Sequence, residues 1–466
     1  MGQAPHARLI ALVVASAFFM ENLDGTVIVI ALPTMAEALG TDTVALTIGV
    51  TSYLLTLAAL IPVSGWVADR LGVRSVFCAA IGGFVLASIL CGLSNGLWEF
   101  TGARILQGAS AALMSPVGRL AVLRTASKAE LVRAIALITW PGLIAPVVGP
   151  PLGGFIASYG SWRWIFFLNV PIGLVGMFLV ARYMPALKGE ARRPFDLVGF
   201  LLMAFALAAM MYALEAAGHG STGRTLIVAV FVLGLGAGAL AIRHLGRRPH
   251  PLLDLSTFRI PTFSASALLG GGVFRLTSGA MPYLLPLFFQ IGFGLSAVSA
   301  GFLVLAYAAG NLGMKVLTTR TLRMFGFRRV LTVNGLVAAS TILACALLTP
   351  GTPQWLAVAV LFAAGCFRSM QLTCVGTLMF ADVPDSLKSS ATTLSVMSHQ
   401  LSMSVGIAIA ALILSLSAAA RGAEAEDLTT LDFRVAMVAM AAIAALSLVR
   451  FWTIEPTAGA EVSGHR

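Results

Sequence analysis

Long apolar runs alternate with short polar segments along the whole of this chain. A helix that crosses a lipid bilayer needs about 20 mainly apolar residues, and each run is close to that length. The pattern predicts fourteen transmembrane helices, at roughly 9–33, 44–68, 75–93, 98–123, 133–158, 162–184, 196–216, 225–243, 262–289, 297–319, 329–349, 354–379, 390–417 and 434–454. The sequence therefore indicates an all-α integral membrane protein.

Composition and charge support this prediction. The 466 residues are 58% apolar and only 11% charged, whereas about 25% of the residues of a soluble domain are charged. The net charge of +11 would suit a nucleic-acid partner, but the Lys and Arg residues are concentrated in every second loop. This bias marks the cytoplasmic loops of membrane proteins. It places both termini in the cytoplasm, predicts an even number of spans and argues against nucleic-acid binding.

Other chemistries find little support in the sequence. The first apolar run carries Glu21, Asn22 and Asp24 instead of a cleavage site, which predicts a signal-anchor helix. The five cysteines lie inside predicted helices without ligand spacing, so they favour packing over disulfides or a metal site. The chain has no Gly-rich loop followed by Lys-Ser/Thr and no histidine pair at ligand spacing. We therefore expect no ATP-driven step, no metal, no cofactor and no enzyme activity.

A weak internal repeat divides the chain. Residues 72–76 read Gly-Val-Arg-Ser-Val and residues 326–330 read Gly-Phe-Arg-Arg-Val, so the pattern Gly-x-Arg-x-Val occurs at a turn in each half. Two halves built alike are typical of secondary transporters. The predicted organisation is a six-helix bundle at 1–194, two additional linker helices at 195–243, a cytoplasmic linker at 244–260 and a second six-helix bundle at 261–466.

Several motifs resemble those of one transporter family. Residues 65–74 (GWVADRLGVR) resemble the loop signature between helices 2 and 3 of the major facilitator superfamily, and residues 149–154 (GPPLGG) resemble the fifth-helix signature of its antiporters. Residues 23–33 (LDGTVIVIALP) and 162–173 (WRWIFFLNVPIG) resemble first- and sixth-helix motifs of the fourteen-helix drug:proton antiporters of the EmrB/QacA type. Residues 368–370, 387–390 and 400–406 are similar to the MdtD-like subgroup of multidrug transporters.

The resemblance implies a fold and an activity. The fold would be that of the major facilitator superfamily, with two extra central helices between its two six-helix bundles. The activity would be proton-coupled antiport by alternating access, with export of small molecules (multidrug efflux) across the bacterial inner membrane. We expect small-molecule substrates, protons and the lipid bilayer as partners, and a monomer. Two alternatives stay open: an exporter of an anionic metabolite such as a citrate-like organic acid, and a membrane sensor or structural protein that transports nothing.

Charged residues at membrane depth are rare and usually functional. Glu21 and Asp24 lie near the middle of the first predicted helix on one face, and Arg104 lies in the fourth. A carboxyl group away from water favours its protonated form, whereas a neighbouring guanidinium favours the ionised form. The family motifs carry an acid at Asp24 and an arginine at Arg104, so the resemblance implies that Asp24, Arg104 and Glu21 couple transport to protons. The alternatives are a structural ion pair and, for Glu21, an acid that faces a water-filled vestibule.

Two motifs indicate moving parts. After helix 2, the carboxylate of Asp69 could pair with nearby bases or a helix N-terminus and form a gating latch, or the segment could be a solvated turn. The second copy has Arg323 and Met324 where Asp69 and Arg70 align, so a latch there must differ. In the fifth helix, small residues permit either plain close packing or a flexible interface between the two halves. The candidate gating residues are Gly65, Asp69, Arg70, Gly72, Arg74, Gly149, Pro150, Gly153 and Gly154.

The second half carries basic groups at depth and no acid beside them. A guanidinium group can bind a carboxylate or phosphate bidentately, so the candidate substrate site consists of Arg275, Arg368, His399, Gln371 and Gln400. The alternatives are arginines that bond helix carbonyls and a histidine that only fills the core. A binding site for lipophilic cations would instead contain acidic and aromatic residues. On this point the residues favour an anion, whereas the family resemblance favours drug efflux.

Overall fold

The computed structural model describes residues 4–125, 128–185, 195–219, 223–248, 251–384, 387–423, 427–455 and 457–459. Within these ranges all regular secondary structure is helical. An apolar chain in a bilayer adopts helices because a helix satisfies its own backbone N–H and C=O groups where no water is present.

Sixteen α-helices occur in the described ranges, and α13 contains a break at Gly326. A 3₁₀ turn (Leu255–Arg259) precedes α10, and π-helical segments (Ala265–Leu269 and Phe288–Gly292) lie on either side of α11. The helices are α1 (Ala4–Leu39), α2 (Thr47–Leu71), α3 (Val73–Leu93), α4 (Leu97–Thr125), α5 (Lys128–Tyr159), α6 (Trp164–Phe167), α7 (Asn169–Tyr183), α8 (Leu197–His219), α9 (Arg224–Leu245), α10 (Pro261–Ser264), α11 (Gly271–Leu287), α12 (Ala297–Gly313), α13 (Lys315–Ala346), α14 (Gln354–Ala381), α15 (Lys388–Ala420) and α16 (Thr430–Trp452).

Eleven helical segments in the described residues are long and apolar enough to cross a membrane. The other three predicted spans coincide with α4, α5 and the segment from α10 to α11. α4 carries several charges, α11 is shortened by the π-helical segments around it, and the apolar described part of α5 is the short stretch Ile144–Tyr159. A multi-pass helical membrane protein is therefore confirmed, whereas the count of fourteen spans and the cytoplasmic termini stay predictions.

The first compact unit comprises Met1–Leu197. In this unit α1 packs along α5 and α7, α2 and α3 pack on α4, and α3 also packs on α7. α1 and α4 touch as well, and this contact brings the middle of the first helix against the fourth.

The second compact unit comprises Val198–Arg466, and its helices repeat the same pairings. α11 packs along α15 and α16, α12 and α13 pack on α14, and α13 also packs on α16. Each of these five contacts has its counterpart in the first unit when α11–α16 are matched in order with α1–α5 and α7. The internal repeat predicted from the sequence is thus a repeat of helix packing.

The Gly-x-Arg-x-Val pattern marks the same turn in both units. Gly72 (φ 89°) separates α2 from α3, and Gly326 (φ 69°) breaks α13. Glycine adopts positive φ without the steric cost that a Cβ atom would cause. The repeat therefore encodes a sharp change of chain direction at corresponding positions.

Candidate functional site

A buried ion pair joins the first and fourth helices of unit 1. Asp24 on α1 is 1% exposed and Arg104 on α4 is fully buried. The Arg104 Nη1 donates to Asp24 Oδ2 at 2.6 Å. A buried charge is tolerated only when it is paired and hydrogen-bonded. The structure therefore brings together the two residues that the sequence marked as the main proton-coupling candidates.

Two amides hold the other oxygen of Asp24. Gln107 Nε2 on α4 and Asn169 Nδ2 on α7 donate to Asp24 Oδ1 at 2.9 and 3.1 Å. The same amide nitrogens donate to Ser88 Oγ on α3 at 3.0 and 3.2 Å. Gln107 Oε1 in turn accepts from Arg104 Nη1 at 2.5 Å. The carboxylate is thus the centre of a buried network, which we call the Asp24 network, that ties α1, α3, α4 and α7 together.

Three members of this network were not predicted from the sequence: Gln107, Asn169 and Ser88. Gln107 follows Arg104 by three residues and so shares its helix face, which was an available signal. Asn169 lies inside the motif at 162–173, and Ser88 has no distinguishing neighbour. None of them is charged, so the search for charges at membrane depth did not select them.

Arg104 has further contacts that fix its orientation. Its Nε donates to the Gly49 carbonyl at 3.3 Å, and its guanidinium carbon lies 4.3 Å from the centroid of the Tyr53 ring. A cation over an aromatic face is attracted by the ring quadrupole. Its Nη2 atom is buried and has no hydrogen-bond partner among the described residues. The guanidinium is therefore held through Nε and Nη1, and the two N–H groups of Nη2 are unused.

Glu21 lies one helical turn before Asp24 but has a different partner. It is half-buried, and the Ser115 hydroxyl on α4 donates to its Oε2. The two acids therefore face α4 at separate positions, and only Asp24 belongs to the network around Arg104.

The glycine-rich part of α5 packs against α1 next to this network. A Cβ atom on Gly153 would lie 2.7 Å from the Val27 carbonyl oxygen, and one on Gly149 would overlap the Thr26 side chain. Pro150 and Gly154 are buried as well. The contacts that the structure gives these glycines lie within unit 1. They form a close contact between α5 and the helix that carries Asp24, and the expected flexible interface between two halves stays a prediction.

The basic residues of the loop motif after α2 make contacts within unit 1. Arg74 donates to the Ala181 carbonyl on α7, Arg70 lies 5.3 Å from the Trp66 ring centroid, and Gly72 forms the turn. Gly65 is exposed with open space beside it. Arg74 thus anchors the end of α7 within unit 1, and a role of Asp69 in a latch stays a prediction.

In unit 2, the two arginines bond backbone carbonyls. Arg275 Nη1 donates to Ser266 O at 3.0 Å, in the π-helical segment before α11. Arg368 Nη2 donates to Ser278 O at 3.1 Å. Ser398, the neighbour of His399 on α15, donates to the Ala267 carbonyl of the same π-helical segment at 2.6 Å. The structure therefore brings Arg275, Arg368 and His399 into one region of unit 2.

Several donors in that region are not used. Arg368 Nε and the hydroxyls of Ser266 and Ser278 are buried and have no hydrogen-bond partner in the part of the chain that the structure describes. A buried donor without an acceptor destabilises the folded protein. A bound ligand with acceptor atoms would accept hydrogen bonds from these donors.

The two predicted glutamines lie in different settings. Gln371 is fully buried, and its amide accepts from Asn334 Nδ2 at 2.9 Å and donates to the Leu331 carbonyl at 3.0 Å. Both partners are on α13, so Gln371 fastens α14 to α13. Gln400 is half-buried on α15 beside His399.

Comparison with known proteins agrees with the motifs. The sequence profile of the Major Facilitator Superfamily matches residues 14–407, and a second match covers residues 267–466. A protein of Escherichia coli O6:H1 named "Putative multidrug resistance protein MdtD" is 38% identical over 436 residues, which are 93% of this chain and 92% of the relative. A protein of the same name from Salmonella heidelberg is 39% identical over 406 residues, which are 87% of this chain and 86% of the relative. The resemblance drawn from the motifs is confirmed.

Solved structures share the fold. A POT family transporter in complex with 5-aminolevulinic acid has a TM-score of 0.69 at 12% identity, over 95% of this chain and 94% of that one. A D-xylose-proton symporter has a TM-score of 0.66 at 15% identity, over 97% and 98% of the two chains. At these identities the likeness concerns the fold alone. Together with the profile match over most of the chain and the relatives that share more than a third of their residues, it shows that this chain belongs to the Major Facilitator Superfamily, a family of membrane transporters.

Proposed function

We propose that this protein is a proton-coupled antiporter that exports small molecules across the bacterial inner membrane, with multidrug efflux as its activity. The observation that carries the proposal is the buried carboxylate of Asp24, paired with Arg104 at 2.6 Å and held by two amides. Membership of a transporter family and the multidrug resistance names of the relatives support the export of drugs. No cofactor is needed for this chemistry.

The coupling follows from the charge of Asp24. When Asp24 takes up a proton, the ion pair with Arg104 is lost, so the network has two arrangements that can favour two states of the transporter. Alternating access then lets Asp24 exchange its proton with one side of the membrane at a time. Glu21, one turn away and bonded to Ser115, relays protons between Asp24 and the vestibule.

Transport into everted membrane vesicles tests this proposal. We expect Asp24→Asn to insert normally and to lose proton-driven uptake of drugs, because an amide cannot release a proton. Asp432→Asn is the matched control: Asp432 is also fully buried and pairs with Arg421 at 2.6 Å, but at the α15–α16 turn of unit 2. Wild-type proton-driven uptake by Asp24→Asn would contradict the proposal, and an absence of any solute exchange by the wild type would favour a sensor or structural protein.

The proposal includes the predicted topology and the gating residues. Fourteen spans with both termini in the cytoplasm would place the turns at Gly72 and Gly326 on the cytoplasmic side. Reporter fusions that are active on only one side of the membrane, placed after each predicted span, test this arrangement. Asp69, Arg70 and Arg74 would then stabilise one state of unit 1 at its cytoplasmic end.

A second candidate function is the export of an anionic metabolite such as an organic acid. The observation that favours it is that Arg275, Arg368 and the segment of His399 all bond the chain around Ser266–Ser278, where buried donors have no partner among the described residues. An anion with several acceptor oxygens would satisfy these donors, and arginine suits it because its planar group bonds carboxylates bidentately.

Ligand-dependent thermal shifts of the purified protein separate the two candidates. Arg275→Ala and Arg368→Ala should each weaken the binding of citrate-like anions by roughly 1–3 kcal/mol, the cost of a hydrogen bond to a charged group. The binding of dye cations should not change. Arg434→Ala is the control, because Arg434 bonds only the Leu348 carbonyl among the contacts found for it. Stabilisation of the wild type by cations alone would exclude the anionic substrate.

A further inference from the structure

Asn169 has a place in the Asp24 network that the proposed coupling does not yet explain. It is the first residue of α7 and is 1% exposed. Its amide nitrogen reaches both Asp24 Oδ1 on α1 and Ser88 Oγ on α3. It is therefore the contact by which α7 meets the carboxylate.

The hydrogen bonds around Asp24 suit its ionised form only. Three N–H donors, from Arg104, Gln107 and Asn169, point at the two carboxylate oxygens. An ionised carboxylate is an acceptor only, whereas the protonated form carries an O–H that must donate. When Asp24 is protonated, its O–H therefore meets donors, and one of these groups has to reorient.

Only one of the two amides can reorient at small cost. A primary amide presents an acceptor in place of a donor when it turns by half a rotation. Gln107 Oε1 already accepts from Arg104 at 2.5 Å, so turning Gln107 would place its NH₂ group against the guanidinium. Asn169 has no such bond to a cation among its described contacts. The Ser88 hydroxyl, which can both accept and donate, can follow either orientation of Asn169.

We propose that Asn169 is a positioning residue that responds to the proton state of Asp24, donating to the ionised carboxylate and turning to accept from the protonated one. In this way a proton on α1 changes the hydrogen bonding at the start of α7, while Gln107 stays fixed by Arg104. This inference rests on the proposed role of Asp24 in proton coupling. Among the described residues, the titratable groups around the Asp24 network are Glu21 on α1, one turn from Asp24, Tyr53 on α2 against the guanidinium, Cys91 on α3 beside Gln107, and Arg104 on α4.

The first test is the pH profile of proton-driven transport in reconstituted vesicles. In Asn169→Leu both forms of Asp24 lose a partner, but bonds to a charged group are roughly twice as strong as neutral ones, so the ionised form loses more. The midpoint should therefore move to higher pH by about half a unit to one unit, a three- to tenfold change in proton concentration. Ser110→Ala is the control, because Ser110 is buried on α4 and its hydroxyl donates to the Leu106 carbonyl of its own helix, outside the Asp24 network. A merely structural role of Asn169 would lower the melting temperature and leave the midpoint unchanged.

The second test is difference infrared spectroscopy of the purified full-length protein between acidic and neutral buffer. The turn of an amide should give a side-chain amide band that is lost in Asn169→Leu and kept in Gln107→Leu. A band that persists in Asn169→Leu, or a wild-type pH midpoint in that variant, would overturn the inference. The Asp24→Asn variant separates failure of the coupling proposal from failure of the role of Asn169. If Asp24→Asn still carries out proton-driven transport, the coupling proposal is wrong. If Asp24→Asn is inactive but Asn169→Leu has the wild-type pH midpoint, only the role proposed for Asn169 is wrong.

Discussion

The two units share a helix scaffold at the place where their arginines lie. Gly108 on α4 packs against the backbone of Tyr53 on α2. In unit 2, Gly365 on α14 packs in the same way against the backbone of Tyr307 on α12. Small residues permit this close approach of two helices in a membrane, and both units retain it.

The charges on that scaffold differ. Arg104 precedes its glycine by four residues, lies 4.3 Å from the Tyr53 ring and pairs with Asp24. Arg368 follows its glycine by three residues, lies 5.7 Å from the Tyr307 ring and bonds a carbonyl instead of an acid. Close packing of the backbones fixes the helices, whereas the position of the arginine can differ by about two helical turns without disturbing that packing. Unit 1 thus pairs its arginine with a buried acid, whereas unit 2 pairs its arginine with a backbone carbonyl.

Removal of each arginine should show the largest difference in stability between the two units. We expect Arg104→Leu to destabilise the protein by roughly 3–5 kcal/mol, because it leaves the buried Asp24 without its partner. Arg368→Leu should cost less, roughly 1.5–3 kcal/mol for the hydrogen bond of a charged group, since its loss leaves a carbonyl and not a buried acid without a partner. Unfolding by denaturant in detergent measures both values. The double variant Asp24→Leu with Arg104→Leu should regain most of the stability, and equal losses for the two arginine variants would contradict the difference between the units.

The shared glycine contacts predict that the same substitution has the same effect on stability and transport in the two units. Gly153 on α5 faces the Val27 carbonyl of α1, and Gly406 on α15 faces the Leu276 carbonyl of α11. Leucine at either position should cost about 1–3 kcal/mol through overpacking and should slow transport. Transport rate at matched expression and melting temperature are the measurements. Gly102→Leu is the control because a side chain there meets open space, and unchanged values for Gly153→Leu would mean that α1 and α5 can separate freely.

The turn glycines give the smallest expected effect. Gly72→Ala and Gly326→Ala should each cost about 1–2 kcal/mol, because a Cβ atom is unfavourable at positive φ. Alanine at Gly376, a helical glycine of α14 with open space beside it, should be neutral or slightly stabilising. Melting temperatures of the purified variants measure these effects. A large loss at one turn and none at the other would show that the repeat does not extend to this loop.

The sequence predicted the helices well because the signal is local. A run of apolar residues must form a helix in a bilayer wherever it lies in the fold, and the predicted segment at 44–68 coincides with α2 (Thr47–Leu71). The prediction was weaker at 262–289, where the structure has the short helix α10, a π-helical segment, α11 and the start of a second π-helical segment instead of one uniform helix. Such irregularities depend on neighbouring helices that receive the freed backbone groups, and no local pattern reveals them.

The sequence by itself determined which residues of this protein place a charge at membrane depth, where its free energy is unfavourable. Asp24 and Arg104 could be singled out because a charge at membrane depth is expensive wherever its partner lies. Only the tertiary structure decided what surrounds them. Gln107, Asn169 and Ser88 come from three helices and meet at one carboxylate, and the glycines of α5 face α1. The free energy of a neutral amide or a glycine in a membrane helix does not by itself indicate a role, since that role depends on which atoms the fold places against the residue.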